Sequence, residues 1–167
     1  MLRMKLIPFD KIELRTKFTS DEIESILKSN TNVGHLGSFT ISSRTNKLLE
    51  GEVGPGSFTL KRRISYRNSF QPIMIGDYSS GSDGTIVSIK FRLYTVALVF
   101  AILFLSFGLL MITIGIVLSL NNFDSISFLP NSLIITLCFY VILVGGFNFE
   151  LMKSKQLIRE LLEVASR

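Results

Sequence analysis

Residue types that build most catalytic and metal sites are scarce in this sequence. Cys138 is the only cysteine, so an intramolecular disulfide and a cysteine-based metal site are both excluded. His35 is the only histidine, and its neighbours Gly34 and Leu36 supply neither a nucleophile nor a metal ligand. No acidic cluster has metal-ligand spacing. We therefore predict no catalytic residue, no metal and no cofactor, and we expect that the protein is not an enzyme.

Charged residues are absent from two long stretches, which a single aspartate separates. Each stretch is longer than the roughly 20 apolar residues that a helix needs to cross the hydrocarbon layer of a bilayer. A buried helix of a soluble protein is seldom apolar on every face over such a length. The pattern predicts a transmembrane helical hairpin, with a first helix over residues 93–120, a short external loop over 121–131 and a second helix over 132–149.

The charges that flank the hairpin predict its orientation. Lys90 and Arg92 precede the first apolar stretch, and Lys153 and Lys155 follow the second, whereas the loop has neither Lys nor Arg. By the positive-inside rule both termini are expected in the cytoplasm, with these four residues as anchors at the membrane interface. The arrangement and the Phe/Ile/Ser/Asn-rich composition suggest a small bacterial protein of the inner (cytoplasmic) membrane.

Small residues within the two apolar stretches predict how the helices meet. Helices in lipid pack closely where small side chains allow their backbones to approach. In an antiparallel hairpin Gly115 and Ser119 would lie near Ser132 and Thr136. At the other end, Ala97 and Ala101 would lie near Gly145 and Gly146. The predicted packing residues are Ala97, Ala101, Gly108, Gly115, Ser119, Thr136, Gly145 and Gly146.

Residues 1–92 predict a small β-rich cytoplasmic domain. Apolar and polar residues alternate over Lys11–Phe18, which indicates a strand with one buried face. Thr19 and Glu22 have the spacing of a capping box and predict a short helix that ends near Ser29. Gly54-Pro55-Gly56 predicts a turn. Further strands are expected over 39–42, 48–53, 57–66, 73–78 and 85–93, of which the last three form an antiparallel meander.

Residues 150–167 return to helical spacing with an apolar stripe, and such a stripe needs a partner. The membrane surface, a second copy of the chain and the open face of the sheet are the three alternatives, and the sheet is favoured. The predicted fold class is thus an α+β membrane protein. It combines a small antiparallel sheet and a short N-terminal helix with a two-helix hairpin and a C-terminal amphipathic helix that would complete the domain.

Arg62 is the residue of the soluble part with the most unusual predicted position. Strand alternation places its guanidinium on the apolar face, beside Phe58 and Leu60. A buried charge must be paired, and Glu50 or Glu52 on the preceding strand is the expected partner. Two alternatives stay open. A bulge would turn Arg62 outward, or Arg62 would form an anion or lipid-headgroup site supported by Lys61, Arg63 and Arg67.

The net charge of +5 is spread over the chain and is clustered only at Lys61-Arg62-Arg63, so no nucleic-acid partner is expected. The expected partners are the lipid bilayer and another membrane protein or further copies of the chain. The first hypothesis is a non-enzymatic accessory, regulatory or scaffolding module whose cytoplasmic domain binds a partner at the membrane. The second is a subunit of an oligomeric pore or transport complex. The third is a membrane-bound enzyme without a recognisable motif.

Overall fold

The computed structural model describes residues 5–33, 46–66, 68–81, 84–121 and 128–162. These residues form an α+β structure of one six-stranded sheet and three helices, two of them long and apolar. The strands are β1 (Phe9–Thr16), β2 (Thr31–Val33), β3 (Leu49–Gly54), β4 (Ser57–Arg62), β5 (Pro72–Gly81) and β6 (Gly84–Leu93). The helices are α1 (Ser20–Asn30), α2 (Thr95–Asn121) and α3 (Phe128–Leu161).

The strands lie in the order β1-β6-β5-β4-β3-β2. The predicted meander of β4, β5 and β6 is confirmed, and β1 adds to it antiparallel to β6. The expectation of a wholly antiparallel sheet is wrong, because β2 pairs with β3 in parallel. Three residues are too few to show alternation, and the chain between Val33 and Leu49 has the dozen or more residues that a parallel connection needs.

The capping box at the start of α1 is confirmed. The Thr19 hydroxyl accepts a hydrogen bond from the Glu22 backbone N–H, and the Glu22 carboxylate accepts one from the Thr19 backbone N–H at 2.8 Å. Ile23 and Leu27 lie on one side of the helix and are completely buried. This apolar side packs on the inner face of the sheet, which fixes an eleven-residue helix too short to be stable alone.

Helix α3 does not stop at the predicted boundary between residues 149 and 150. It continues as one helix of 34 residues, about 51 Å long at 1.5 Å per residue. Leu151, Ile158 and Leu162 are buried in the core with the sheet, and the Thr16 hydroxyl donates a hydrogen bond to the Leu162 carbonyl at 3.0 Å. The C-terminal apolar stripe therefore packs on the sheet, which was the favoured one of its three expected partners.

Several predictions lie outside the described residues: the strand over 39–42, the positions of His35 and Arg67, and most of the loop over 121–131. The strand expected over 57–66 is shorter and ends at Arg62. The sheet thus has an inner face covered by α1 and by the C-terminal part of α3, and an outer face that no described element covers.

Helices α2 and α3 are long and apolar enough to cross a membrane, over Thr95–Leu120 and Leu129–Leu161 respectively. Only 11% and 22% of the most apolar window of each helix is buried. A core helix of a soluble domain would be mostly buried. Here one narrow seam of each helix faces the other, and the remaining apolar side chains are exposed.

Candidate functional site at the junction of sheet and helix

Strand β4 carries Arg62 to the inner face of the sheet, as the alternation predicted. Phe58 and Leu60, at the same parity, are buried in the core, and Arg62 lies opposite Leu49 of β3. The Arg62 side chain is only 18% exposed. A guanidinium at this depth has lost most of its hydration and needs a charged partner.

The partner of Arg62 is Glu150, which comes from α3 and not from the neighbouring strand. The Arg62 Nη2 atom lies 2.6 Å from Glu150 Oε2, and the Glu150 side chain is completely buried. The predicted partner Glu50 instead pairs with Lys61, at 3.3 Å, on the outer face, and Glu52 is exposed. The structure thus pairs Arg62 with neither Glu50 nor Glu52, because α3 packs on the inner face of the sheet, where Arg62 lies, and brings Glu150 to it.

Two further side chains complete the cluster, which we call the junction cluster (Arg62, Tyr66, Gln71 and Glu150). The Tyr66 hydroxyl donates a hydrogen bond to the second oxygen of Glu150, and the Gln71 amide donates to the Arg62 backbone carbonyl. The hydrogen bond to the Glu150 carboxylate, followed by burial, raises the pKa of Tyr66, so the phenol keeps its proton at neutral pH. Both carboxylate oxygens of Glu150 thus have a donor, which a buried carboxylate requires.

A second set of polar contacts ties α3 to the N-terminal segment. Asp10 on β1 pairs with Lys155 and, at 3.0 Å, with Lys5. Burial of Asp10 raises its pKa, but the hydrogen bonds from Lys155 and Lys5 outweigh burial and hold the pKa below its ordinary value. Lys155, predicted as an interface anchor, is therefore engaged inside the domain.

Asn148 acts on the same segment through its side-chain amide. Its oxygen accepts the Lys5 backbone N–H at 2.9 Å, and its nitrogen donates to the Lys5 carbonyl at 2.8 Å. About two helical turns earlier on α3, the Tyr140 hydroxyl donates to the Leu6 carbonyl at 2.8 Å. These hydrogen bonds fasten residues 5 and 6 along the last part of the apolar stretch of α3, from Tyr140 to Asn148.

Several predicted packing residues lie in the seam between α2 and α3. A Cβ atom placed on Gly108 would lie 2.4 Å from Thr136 Oγ1, so the two helices touch at this glycine. Ala101 and Gly115 are buried on the same side of α2, and Ala97 and Ser119 are half-buried there. Thr136 was expected near Gly115 and Ser119, whereas in the structure it contacts Gly108, about two turns closer to the start of α2.

The two adjacent glycines of α3 have other surroundings than predicted. Gly145 faces no neighbouring side chain, and Gly146 lies against Phe70, which the loop after β4 supplies. The Phe70 ring also meets the Phe139 ring edge-on, at 6.3 Å between centroids. The domain built on the sheet therefore contributes an aromatic side chain to the helix pair, and Gly146 leaves room for it.

The remaining predicted anchors are exposed at the same end of the domain. Lys90 and Arg92 lie on the outer face of β6, and the Lys153 ammonium lies 4.0 Å from the centre of the Phe149 ring. Cys138 is exposed on α3. Among the described residues no group of His, Cys, Asp and Glu could hold a metal ion.

The sequence analysis missed Asp10, Asn148 and Glu150. Two signals were present. Asp10 has the parity of the half-buried Ile12 and the buried Leu14 on β1, and Asn148 and Glu150 are the first amide and the first charge after a long apolar stretch. The junction cluster contains no nucleophile paired with a base, so its chemistry is that of a buried charged link between a helix and a sheet. No protein-family model, curated protein or solved structure matches the chain.

Proposed function

We propose that the chain is an integral membrane protein in which α2 and the first twenty or so residues of α3 cross the bilayer. The main supporting observation is that apolar side chains are exposed all around this helix pair, except in the narrow seam where the two helices meet. A soluble monomer rarely exposes an apolar patch beyond a few hundred Å². Lipid chains would cover this surface. Its most exposed members include Phe100, Leu103, Leu109, Leu120, Ile135, Val141 and Ile142.

The proposed orientation puts the sheet, α1 and both termini in the cytoplasm, at the inner membrane of a bacterium. The positive-inside rule supports it, because Lys5, Lys90, Arg92 and Lys153 lie at the end of the helix pair that carries the domain. The segment that joins α2 to α3 has no Lys or Arg.

Within the membrane we propose a non-enzymatic accessory, regulatory or scaffolding role, in which the cytoplasmic domain binds a partner protein. The continuity of α3 supports this role. The same helix crosses the bilayer and forms part of the domain core, and the buried pair of Glu150 with Arg62 holds the two together. A partner bound to the domain would therefore keep a fixed position and angle relative to the helices.

Cysteine accessibility tests insertion and orientation together. In a Cys138→Ser background, one cysteine is introduced at Asn122 in the connecting segment or at Ser79 at the far end of β5. A membrane-impermeant maleimide added to intact spheroplasts should label the first variant and should label the second only after permeabilisation. The reverse pattern contradicts the orientation. Release of the protein from membranes by alkaline carbonate contradicts insertion.

Purification in a mild detergent tests the role. A larger membrane protein that co-purifies in fixed ratio, and that is lost when the domain surface is changed, supports the accessory role. A symmetric oligomer of this chain that conducts ions in liposomes supports the pore hypothesis instead. Gly145 favours that second candidate to a degree, because this small residue faces outward from the pair, where another helix could approach closely.

A further inference from the structure

Three cations lie together on the outer face of the sheet, at the end where β1 and β6 approach the apolar helices. We call Lys11, Lys90 and Arg92 the basic patch, and all three are exposed. Lys11 lies directly opposite Lys90 in the antiparallel register, and Arg92 is on the same face as Lys90, two residues nearer to the start of α2.

The two lysines of the basic patch repel each other. Like charges directly opposite across a strand pair are destabilising. Within the described chain Lys11 has one ion pair, with Glu13 at 3.1 Å on the surface, and neither Lys90 nor Arg92 has a carboxylate within 4.0 Å. Folding therefore gathers positive charge here with little internal compensation.

Exposed apolar side chains stand beside the basic patch. Phe9 lies directly opposite Arg92 and is 49% exposed, and Leu6 and Ile7, just before it, are 70% and 73% exposed. The hydrogen bond from Tyr140 to the Leu6 carbonyl holds this segment against the apolar part of α3. Cations next to exposed aliphatic and aromatic side chains are typical of surfaces that enter the headgroup region of a bilayer.

On β1, β5 and β6 the charges of the outer face are also ordered by distance from the helices. The carboxylates of β3 in the same rows, Glu50 and Glu52, lie across the sheet beyond β4, and Glu50 is paired with Lys61. The row that follows Lys11 and Lys90 along the strands contains Glu13 and Asp77, one on each side of Ser88. Positive charge is thus nearest to the helix pair and negative charge lies one row farther away, before Arg15. An anionic surface at the level of the helices would attract the first row and leave the second in water.

We propose that the basic patch binds the headgroups of anionic phospholipids in the leaflet where α2 and α3 enter the membrane, with Leu6 and Ile7 among the upper parts of the lipid chains. The inference rests on the proposed insertion and adds a lipid preference to it. The proposal goes beyond the positive-inside rule, which considers only residues near the apolar stretches in sequence. Lys11 lies far from both stretches in sequence and reaches the patch only through the pairing of β1 with β6.

Lipid selectivity of the full chain tests the proposal. The protein is placed in nanodiscs of phosphatidylcholine, with or without phosphatidylglycerol, and the lipids retained after extraction are quantified by mass spectrometry together with the melting temperature. The variant Lys11→Gln/Lys90→Gln is compared with Arg15→Gln/Lys17→Gln. Both lose two exposed positive charges from the domain, but the second pair lies at the far end of β1.

The intact protein and the Arg15→Gln/Lys17→Gln control should retain phosphatidylglycerol preferentially and melt at a higher temperature when it is present. The patch variant should bind this lipid about tenfold or more weakly, since each basic residue near the surface contributes about 1 kcal/mol. In phosphatidylcholine alone it should melt no lower than the intact protein, because the repulsion between Lys11 and Lys90 is removed. A melting temperature at or above that of the intact protein also shows that the patch variant is folded.

Equal lipid retention by the patch variant and the intact protein would overturn the proposal. Equal stabilisation by soluble glycerol phosphate in phosphatidylcholine nanodiscs would assign the site to a free anion and would also overturn it. A chain that enters no nanodisc of either composition contradicts the proposed insertion itself. A lipid preference that fails in an inserted chain leaves insertion intact, so the two failures are distinguishable.

Discussion

The two halves of α3 belong to one continuous helix but differ in composition and in surroundings, since 14 of the 20 residues 128–147 are apolar against 6 of the 14 residues 148–161. In the first half, over residues 128–147, side chains such as Ile135 and Ile142 are about 60% exposed. In the second half, over residues 148–161, Leu151 and Ile158 are at most 3% exposed and lie in the core with the sheet. The sheet covers the single apolar stripe of the second half, whereas the first half is apolar on nearly every side and most of that surface is covered by no described element.

The polar residues mark where the change takes place. Asn148 and Glu150 lie in the first turn of the second half, and both are buried and hydrogen-bonded to the domain. In the proposed orientation this turn lies at the headgroup level, where a free carboxylate could remain hydrated. Glu150 is instead enclosed with Arg62, so the helix is fixed to the sheet at the point where the proposed membrane span ends.

Removal of the second half of α3 should have the largest effect on the domain. A chain that ends at Phe149 lacks Leu151, Ile158 and Leu162, whose burial contributes about 5–9 kcal/mol in total at 1.5–3 kcal/mol each. That sum is comparable to the whole stability of a typical domain. We expect a protein that still inserts but whose sheet is rapidly degraded in limited proteolysis of membranes. A chain shortened by residues 163–167 alone is the control and should resist. Equal resistance of both would show that the sheet folds without α3.

Loss of the ion pair between Arg62 and Glu150 should have the second-largest effect on the stability of the domain. Arg62→Leu leaves the buried Glu150 carboxylate without its cation, at an expected cost of about 3–5 kcal/mol in free energy of unfolding. Denaturant unfolding in detergent, followed at the domain, measures the change. Lys28→Leu is the surface control. It breaks a pair with Glu24 on exposed α1 positions and should cost less than about 1 kcal/mol.

The double variant Arg62→Leu/Glu150→Leu distinguishes an unpaired charge from lost packing. Because both charges are removed together, it should recover a large part of the stability that Arg62→Leu loses. A double variant as unstable as the sum of the two single variants would show that the pair is not coupled.

A matched pair of substitutions separates the two halves of α3 directly. Ile158→Ala opens a cavity in the core and should cost about 2–5 kcal/mol. Ile142→Ala makes the same chemical change at a site that the protein leaves exposed, and should change domain stability by no more than about 0.5 kcal/mol. Equal losses would show that the first half also has a protein partner, which would favour an oligomer.

The sequence predicted the α+β class, the capping box, the meander and both apolar helices, because each depends on local periodicity or on composition. It did not predict β2, whose three residues show no periodicity, or the continuity of α3 across residue 149. The partner of Arg62 was also beyond local reasoning. Parity fixed the face on which Arg62 lies, but whether Glu50 or Glu150 reaches that face depends on how α3 packs on the sheet.

The substitution of Asp10 should have the smallest effect on stability. Its pH dependence tests the ion pairs between β1, α3 and Lys5 specifically. Its pKa is lower in the folded protein than in the unfolded chain, where it is about 3.9. The ion pairs with Lys5 and Lys155 therefore contribute their full stability above about pH 4. Below that value the unfolded chain binds a proton first, and the contribution is lost as the pH falls through the lower, folded pKa.

The measurement is the free energy of unfolding from pH 7 to pH 2.5 for the intact protein and for Asp10→Asn. We expect the difference between the two to be largest at pH 7 and to shrink only below about pH 4. Glu24→Gln is the control, because the pKa of Glu24 is also lowered, first by its hydrogen bond from Lys28, but this carboxylate is at the surface of α1. Its difference should be smaller and should vanish at high salt, whereas that of Asp10 should persist. An Asp10→Asn difference that is independent of pH would mean that the charge of Asp10 does not contribute to holding α3 on β1.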